Sequence, residues 1–253
     1  MIAPEQITKL ANEFKIADSI VAREYFQILF LNELYAKPFA NKICFKGGTC
    51  IRLVYGGKRF SEDLDFTVNY SEAEFEKDIV IFFKALANIY PITFKKRESL
   101  AGQTYLLTAT LPNFKTELFI KLDFSFRENV IEPTQNILRT DYPIITSNFI
   151  NCLSKDEIIA EKVRAIMSRT KLRDLYDLWI VQELGGKLRL ELINEKLKFY
   201  QEEFTKDVFI ERINGFQVKD FVTDLRPFVP STERAKLEDL FVFVKAYCIK
   251  SVA

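Results

Sequence analysis

Asp63 and Asp65 are the residues of this chain best placed by type and spacing to do chemistry. They lie in the run Arg59-Phe60-Ser61-Glu62-Asp63-Leu64-Asp65-Phe66-Thr67-Val68, where Leu64, Phe66 and Val68 alternate as in a strand with one buried face. Side chains repeat every two residues along a strand, so Asp63 and Asp65 share the other face. Two neighbouring carboxylates repel each other unless something positive sits between them. A hard divalent cation such as Mg2+ meets that need, because it favours carboxylate oxygens and usually binds substrate phosphates as well. Just upstream, Ile43 to Lys46 reads as a short buried strand that breaks at Gly47-Gly48 and restarts as a helix at Thr49, running to Tyr55. A helix start there presents unpaired N–H groups and the positive end of its dipole, which suits a phosphate. Alone, Gly-Gly-Thr is an ordinary turn with a capped helix, and Asp-x-Asp an ordinary solvated strand face. Together, at a spacing that fits one strand–helix–strand unit, they describe a site for a nucleoside triphosphate.

The elements that must hold this stretch are legible on both sides of it. Residues 4–14 and 18–36 read as helices, and the second carries a broad apolar stripe that ends before Pro38. Ser71 and Glu74 form a capping box for a helix reaching about Asn88. Three strand-like runs follow, Ile92 to Arg97, Thr104 to Leu111 and Glu117 to Phe124, punctuated by Gly102 and Pro112-Asn113. In the last, Asp123 alternates with Leu122 and Phe124, so it faces the same side as the Asp pair if the two strands are neighbours. The charge run Lys95-Lys96-Arg97 reads as a solvated strand end. Residues 127–153 carry little pattern and read as a connector between a sheet-bearing part, 1–148, and a helical part, 149–253.

The helical part opens with a second capping box, Ser154 and Glu157. Lys162 then sits in the middle of an apolar stripe, four residues from both Ile158 and Ile166. A lysine there must extend to water or meet a partner charge, since burying it alone is costly. The segment Arg173-Asp174-Leu175-Tyr176-Asp177 follows, and Arg173 and Asp177 are spaced to satisfy each other on a helix. Helices are expected at about 187–204, 217–225 and 231–250, with no further chemical motif.

Composition narrows the chemistry. The 253 residues include no histidine, which removes Ser-His-Asp and Cys-His nucleophile systems, histidine metal sites and histidine general-base ribonuclease chemistry. Lys and Arg total 36 against 35 acidic residues, so nucleic acid would have to be met by a local basic patch rather than by net charge. Cys44, Cys50, Cys152 and Cys248 show no metal-ligand spacing and read as reduced thiols of a cytoplasmic protein. No apolar run is long enough to span a bilayer. The 24 phenylalanines are the mark of a packed core.

The pattern Gly47-Gly48-Thr49, a helix, then Arg-Phe-Ser-Glu-Asp-Leu-Asp-Phe resembles the AbiEii family of nucleotidyltransferase toxins, within the DNA polymerase β-like superfamily. Thr49 stands where the shortest family form has Ser, and thirteen residues separate it from Asp63, which fits the Gly-Gly-Thr branch. A helical Lys followed by Arg-Asp-x-x-Asp, here Lys162, Arg173, Asp174 and Asp177, is the second point of similarity. The resemblance covers about 40–180. It implies an α+β fold, a mixed polymerase β-like sheet with flanking helices, followed by a helical C-terminal domain. It further implies Asp123 as a third carboxylate beside Asp63 and Asp65, the three holding two Mg2+ ions. Lys162 acquires a catalytic, phosphate-contacting role, and Lys46, Gly47, Gly48, Thr49, Arg59, Ser61, Asp174 and Asp177 are implied around the nucleotide. The implied activity is transfer of a nucleoside monophosphate from an NTP to RNA, with tRNA the leading acceptor, in an abortive-infection setting restrained by an antitoxin protein. Lys162, Arg164, Arg169, Lys171 and Arg173 form a cluster compatible with RNA contact. Two readings remain beside this one: the same chemistry on a protein side chain or small molecule, and a binding protein that keeps the fold without turnover.

Overall fold

The computed structural model describes residues 1–99, 102–111, 114, 117–138 and 140–252. Its contacts divide the chain into two compact units, one of residues 1–56 and 60–152, the other of residues 57–59 and 153–253. The expected Pro112-Asn113 break lies outside the described residues.

The first unit begins with α1 (Pro4–Phe14) and α2 (Asp18–Tyr35), as the apolar periodicity predicts. A 3-10 turn, Pro38–Lys42, leads into β1 (Ile43–Lys46), α3 (Gly47–Leu53) and β2 (Leu64–Val68). The capping box expected at Ser71 is present: its hydroxyl accepts the Glu74 N–H and starts α4 (Glu72–Ala87). Then come β3 (Ile92–Arg97), β4 (Gln103–Ala109) and β5 (Leu118–Ser125). The stretch read as a patternless connector adds β6 (Pro133–Ile137) and β7 (Phe149–Leu153), a correction to the sequence reading. β6 is an edge strand opening on proline, the position where a missing N–H is tolerated, and neither PTQNI nor FINCL alternates apolar with polar residues.

Among the described residues the sheet has seven strands in the order β3-β4-β5-β2-β1-β7-β6. It is mixed: β2 runs parallel to β5 and β1 to β7, while β1–β2, β3–β4 and β4–β5 are antiparallel. One face is apolar. Leu64, Phe66, Ile120, Leu122 and Phe124 are buried there, with Phe30 of α2 and Phe75 of α4 packed on Phe66 and Phe124. The Phe66 and Phe124 rings stack with centroids 4.8 Å apart, so part of the phenylalanine-rich composition packs in this core. The opposite face carries Asp65, Lys121 and Asp123, none of them fully buried.

The second unit is helical: α5 (Lys155–Ser168), α6 (Arg173–Glu183), α7 (Leu190–Lys198), α8 (Lys206–Gly215), α9 (Val218–Leu225) and α10 (Leu237–Ser251). Ser154 caps α5 by accepting the Glu157 N–H at 3.1 Å. α7 is shorter than the sequence predicts, and α8 lies where no helix is expected. Among the described residues no helix is long and apolar enough to cross a membrane.

Candidate active site

Strand register decides how the acidic residues meet. Asp65 on β2 is the lateral neighbour of Asp123 on β5, in a parallel pairing that also matches Leu64 with Leu122 and Phe66 with Phe124. Asp123 is in turn opposite Thr104 on β4, and Asp65 opposite Lys46 on β1. A row Thr104–Asp123–Asp65–Lys46 therefore crosses four adjacent strands on one face. Asp63, two residues before Asp65, is likewise part-exposed, and the buried Leu64 lies between them. The sheet register thus sets Asp65 beside Asp123.

Asp123 and Lys46 are held by neighbouring side chains. Thr104 Oγ1 donates to Asp123 Oδ1 at 2.6 Å, and the Lys121 ammonium donates to Asp123 Oδ2. Partial burial alone would lower the Lys121 pKa, but the Asp123 hydrogen bond and the charges of Asp123, Asp63 and Asp65 outweigh it and hold the ammonium above its ordinary value. One cation thus feels all three carboxylates. Lys46 Nζ lies 3.9 Å from Glu128 Oε2, both largely buried. Among the described residues no three acidic or thiol side chains are gathered tightly enough to hold an ion as they stand. Carboxylate oxygens are the donor type that a hard divalent cation takes.

The glycine-led turn abuts this row. Gly47 has φ +77°, and a Cβ there would lie 2.2 Å from Asp65 Oδ2, so the Asp65 carboxylate occupies space that only glycine leaves open. The helix begins at Gly47, two residues earlier than the sequence predicts, and lasts seven residues. Thr49 is buried, and its hydroxyl donates to the Asp63 main-chain carbonyl. The hydroxyl expected to face phosphate thereby ties α3 to the start of the acidic strand. Gln27 fixes the same turn by donating to the carbonyls of Ser61 and Glu62 at 3.1 and 2.9 Å. Arg52, at the end of α3, donates to both Glu24 carboxylate oxygens, at 2.8 and 3.1 Å, and lies over the Phe60 ring.

The second unit holds the other expected residues in one buried ion group. Lys162 Nζ lies 2.8 Å from Asp174 Oδ1 and 2.7 Å from Asp177 Oδ2. Arg59 donates two hydrogen bonds to Asp177, at 2.6 and 2.7 Å, and Arg169 donates to Asp174 at 2.8 Å. Lys162 therefore meets partner charges rather than extending to water. Arg173 does not pair with Asp177 and instead lies 3.6 Å from Asp224. Burial would raise the Asp177 pKa, but Arg59 and Lys162 hold it below the usual carboxylate range, and Lys162 and Arg169 do the same for Asp174. Burial would lower the Lys162 and Arg59 pKa values, and their aspartate partners keep both raised. Arg164 is engaged over the Tyr200 ring, so the basic cluster of α5 and α6 is largely committed within the unit.

The family described as nucleotidyl transferase AbiEii toxin, type IV toxin–antitoxin system, matches residues 29–241. The chain belongs to this family. It is a nucleotidyltransferase. Among solved structures, this AbiEii-family chain is similar to MenT4, a nucleotidyltransferase toxin from Mycobacterium tuberculosis, with TM-score 0.67 and 17% identity over 100% of this chain and 94% of that one. It is also similar to JHP933 from Helicobacter pylori, with TM-score 0.62 and 21% identity over 94% of each chain. At these identities the likeness is one of fold. No curated protein matches by sequence. For an AbiEii-family enzyme, sequence reasoning passed over Thr104 and Lys121. The signal for Lys121 was present, because it stands two residues before Asp123 on an alternating strand.

Proposed function

We propose that this AbiEii-family toxin transfers a nucleoside monophosphate from an NTP to a hydroxyl of RNA, with tRNA the leading acceptor. The observation that carries the reading is the lateral pairing of Asp65 with Asp123, with Asp63 two residues from Asp65. Asp63, Asp65 and Asp123 would hold Mg2+, which when bound neutralises phosphate charge and lowers the pKa of an attacking hydroxyl. Asp123 is the carboxylate toward the acceptor, and Thr104 fixes its orientation through Oδ1. The main chain of Gly47, Gly48 and Thr49 is left to receive phosphate oxygens, since the Thr49 hydroxyl proton is already given to Asp63. Ser61 and Lys46 flank that turn and the row. In the second unit, Asp174 and Asp177 hold the Lys162 ammonium, beside Arg59 and Arg169, and would position it in its proposed phosphate-contacting role. Phosphoryl-type transfer is carried mainly by positioning and charge neutralisation, so each metal ligand should be indispensable. A cognate antitoxin that restrains the toxin belongs to the same reading.

The test is incubation with Mg2+, all four NTPs and total tRNA, followed by mass spectrometry of the RNA. A tRNA mass gain of one or more nucleotides, lost in Asp63→Ala and Lys162→Met, is the expected result. Label from NTP appearing on protein or small molecules while tRNA stays unchanged would move the acceptor elsewhere. Full transfer by a folded Asp63→Ala variant would overturn the metal site.

A further inference from the structure

We infer that Lys121 is a built-in, displaceable counter-ion of the acidic face, and that it sets how tightly the site takes its divalent metal. The inference rests on the metal reading of Asp63, Asp65 and Asp123 given above. Lys121 stands two residues before Asp123 on β5 and so shares its face. Carrying the β2–β5 register one residue back from Leu64 and Leu122 sets Asp63 beside Lys121. The ammonium donates to Asp123 Oδ2 and lies within the fields of Asp63 and Asp65. A lysine on a part-exposed strand position is free to extend its four-carbon stem into water. This one folds back onto the carboxylates instead.

Exposure separates it from the lysines that are enclosed with acids, Lys46, Lys162 and Lys196, and groups it with the surface pairs of Lys9, Lys96 and Lys198. The Lys121 side chain is 49% exposed, against 12% for Lys46, 10% for Lys162 and 2% for Lys196. Those three ammonium groups are enclosed with their partners, whereas Lys121 can leave toward solvent without opening the core. Its cation therefore steadies the mutually repelling carboxylates in the metal-free protein and departs when a divalent ion arrives. Thr104 keeps hold of Asp123 Oδ1 throughout, so the ligand stays aimed while its partner changes. Metal affinity is lowered by the work of removing the ammonium, which makes occupancy responsive to metal concentration. A positive charge at this range is worth an order of magnitude or more in affinity at protein-surface dielectric.

The test is binding of Mn2+ alone, read from the electron paramagnetic resonance of the free ion, with no nucleotide present. Wild type, Lys121→Met, Lys121→Arg and Asp65→Asn are compared, and each is melted in EDTA. Lys121→Met should bind Mn2+ about tenfold more tightly or better and melt at a lower temperature in EDTA. Lys121→Arg, which keeps the charge, should stay within about threefold of wild type. If Lys121→Met fails to fold, Lys121→Gln carries the same comparison. Equal or weaker Mn2+ binding by the neutral variant, in a protein whose binding is abolished by Asp65→Asn, overturns the counter-ion alone. Absence of Mn2+ binding in wild type would overturn the metal reading together with it.

Discussion

Replacing Gly47 by alanine should cost the enzyme its chemistry while leaving its fold intact. The new Cβ would stand 2.2 Å from Asp65 Oδ2 and 3.0 Å from the Asp65 Cβ and Cγ, so the Asp65 side chain must move. The carboxylate can rotate away, while the contact with the Asp65 Cβ needs only a slight backbone shift, so the cost to stability stays small. Alanine at φ +77° adds left-handed strain of about 1–2 kcal/mol. A loss of about 2 kcal/mol from a usual stability of about 5–15 kcal/mol leaves roughly 99% or more of the protein folded. The corresponding fall in Tm is about 4–8 °C. A ligand displaced by about 1 Å, by contrast, can reduce turnover about 100-fold. Gly56 supplies the control, because it has φ +81° and nothing within 4 Å of a built Cβ. Gly56→Ala should show the same strain and near-normal activity. The assays are thermal unfolding, Mn2+ affinity and pyrophosphate release from mixed NTPs with tRNA. Equal activity losses in the two variants, or wild-type Mn2+ affinity and turnover in Gly47→Ala, would refute the argument that this glycine exists to admit Asp65.

The other predictions concern groups that act within one unit or the other. Asp177→Asn leaves Arg59 and Lys162 buried with less opposing charge and should cost about 3–5 kcal/mol, read by urea unfolding with Trp179 of α6 as reporter; a loss below about 1 kcal/mol would count against the buried group. Because Asp174 and Asp177 are held below the ordinary aspartate pKa of about 3.9, their stabilisation is complete above that value and declines as pH falls through the native values. The stability gap between wild type and Asp177→Asn should therefore be constant from neutrality to about pH 4 and narrow below it. A gap that narrows near pH 7 would contradict the assignment. Thr49→Val removes the hydrogen bond to the Asp63 carbonyl and should cost about 1 kcal/mol with a roughly tenfold fall in turnover; unchanged turnover would show that the acidic strand is positioned without it.

Local signals carried much of the fold. Ser71 with Glu74 and Ser154 with Glu157 mark helix starts because a capping bond spans only three residues, and both bonds form. The strand β5 was legible because its apolar residues alternate over eight positions, and β3 because Ile92 and Phe94 alternate before its charged end. β6 and β7 were not, since five residues of PTQNI and FINCL carry no period and become strands only by joining the β1 edge. The acid partners of the second unit escaped for a similar reason. Arg173 was the near candidate for Asp177, four residues away, yet the partner is Arg59, 118 residues distant. Spacing along a helix reports which pairs can meet, and the burial of α6 decides which do.

The sequence by itself determined that Asp63 shares a face with Asp65, and Lys121 with Asp123. Strand geometry alternates side chains every two residues whatever the strand's neighbours are. Absence of histidine likewise limited the chemistry before any fold was known. Only the tertiary structure decided that β5 lies beside β2 in the register that sets Asp123 next to Asp65. Only it put the Asp65 carboxylate into the space of the missing Gly47 side chain and the Lys121 ammonium against the acids. Those outcomes depend on the phenylalanine core that locks the two strands together on their other face, and no local period encodes that pairing.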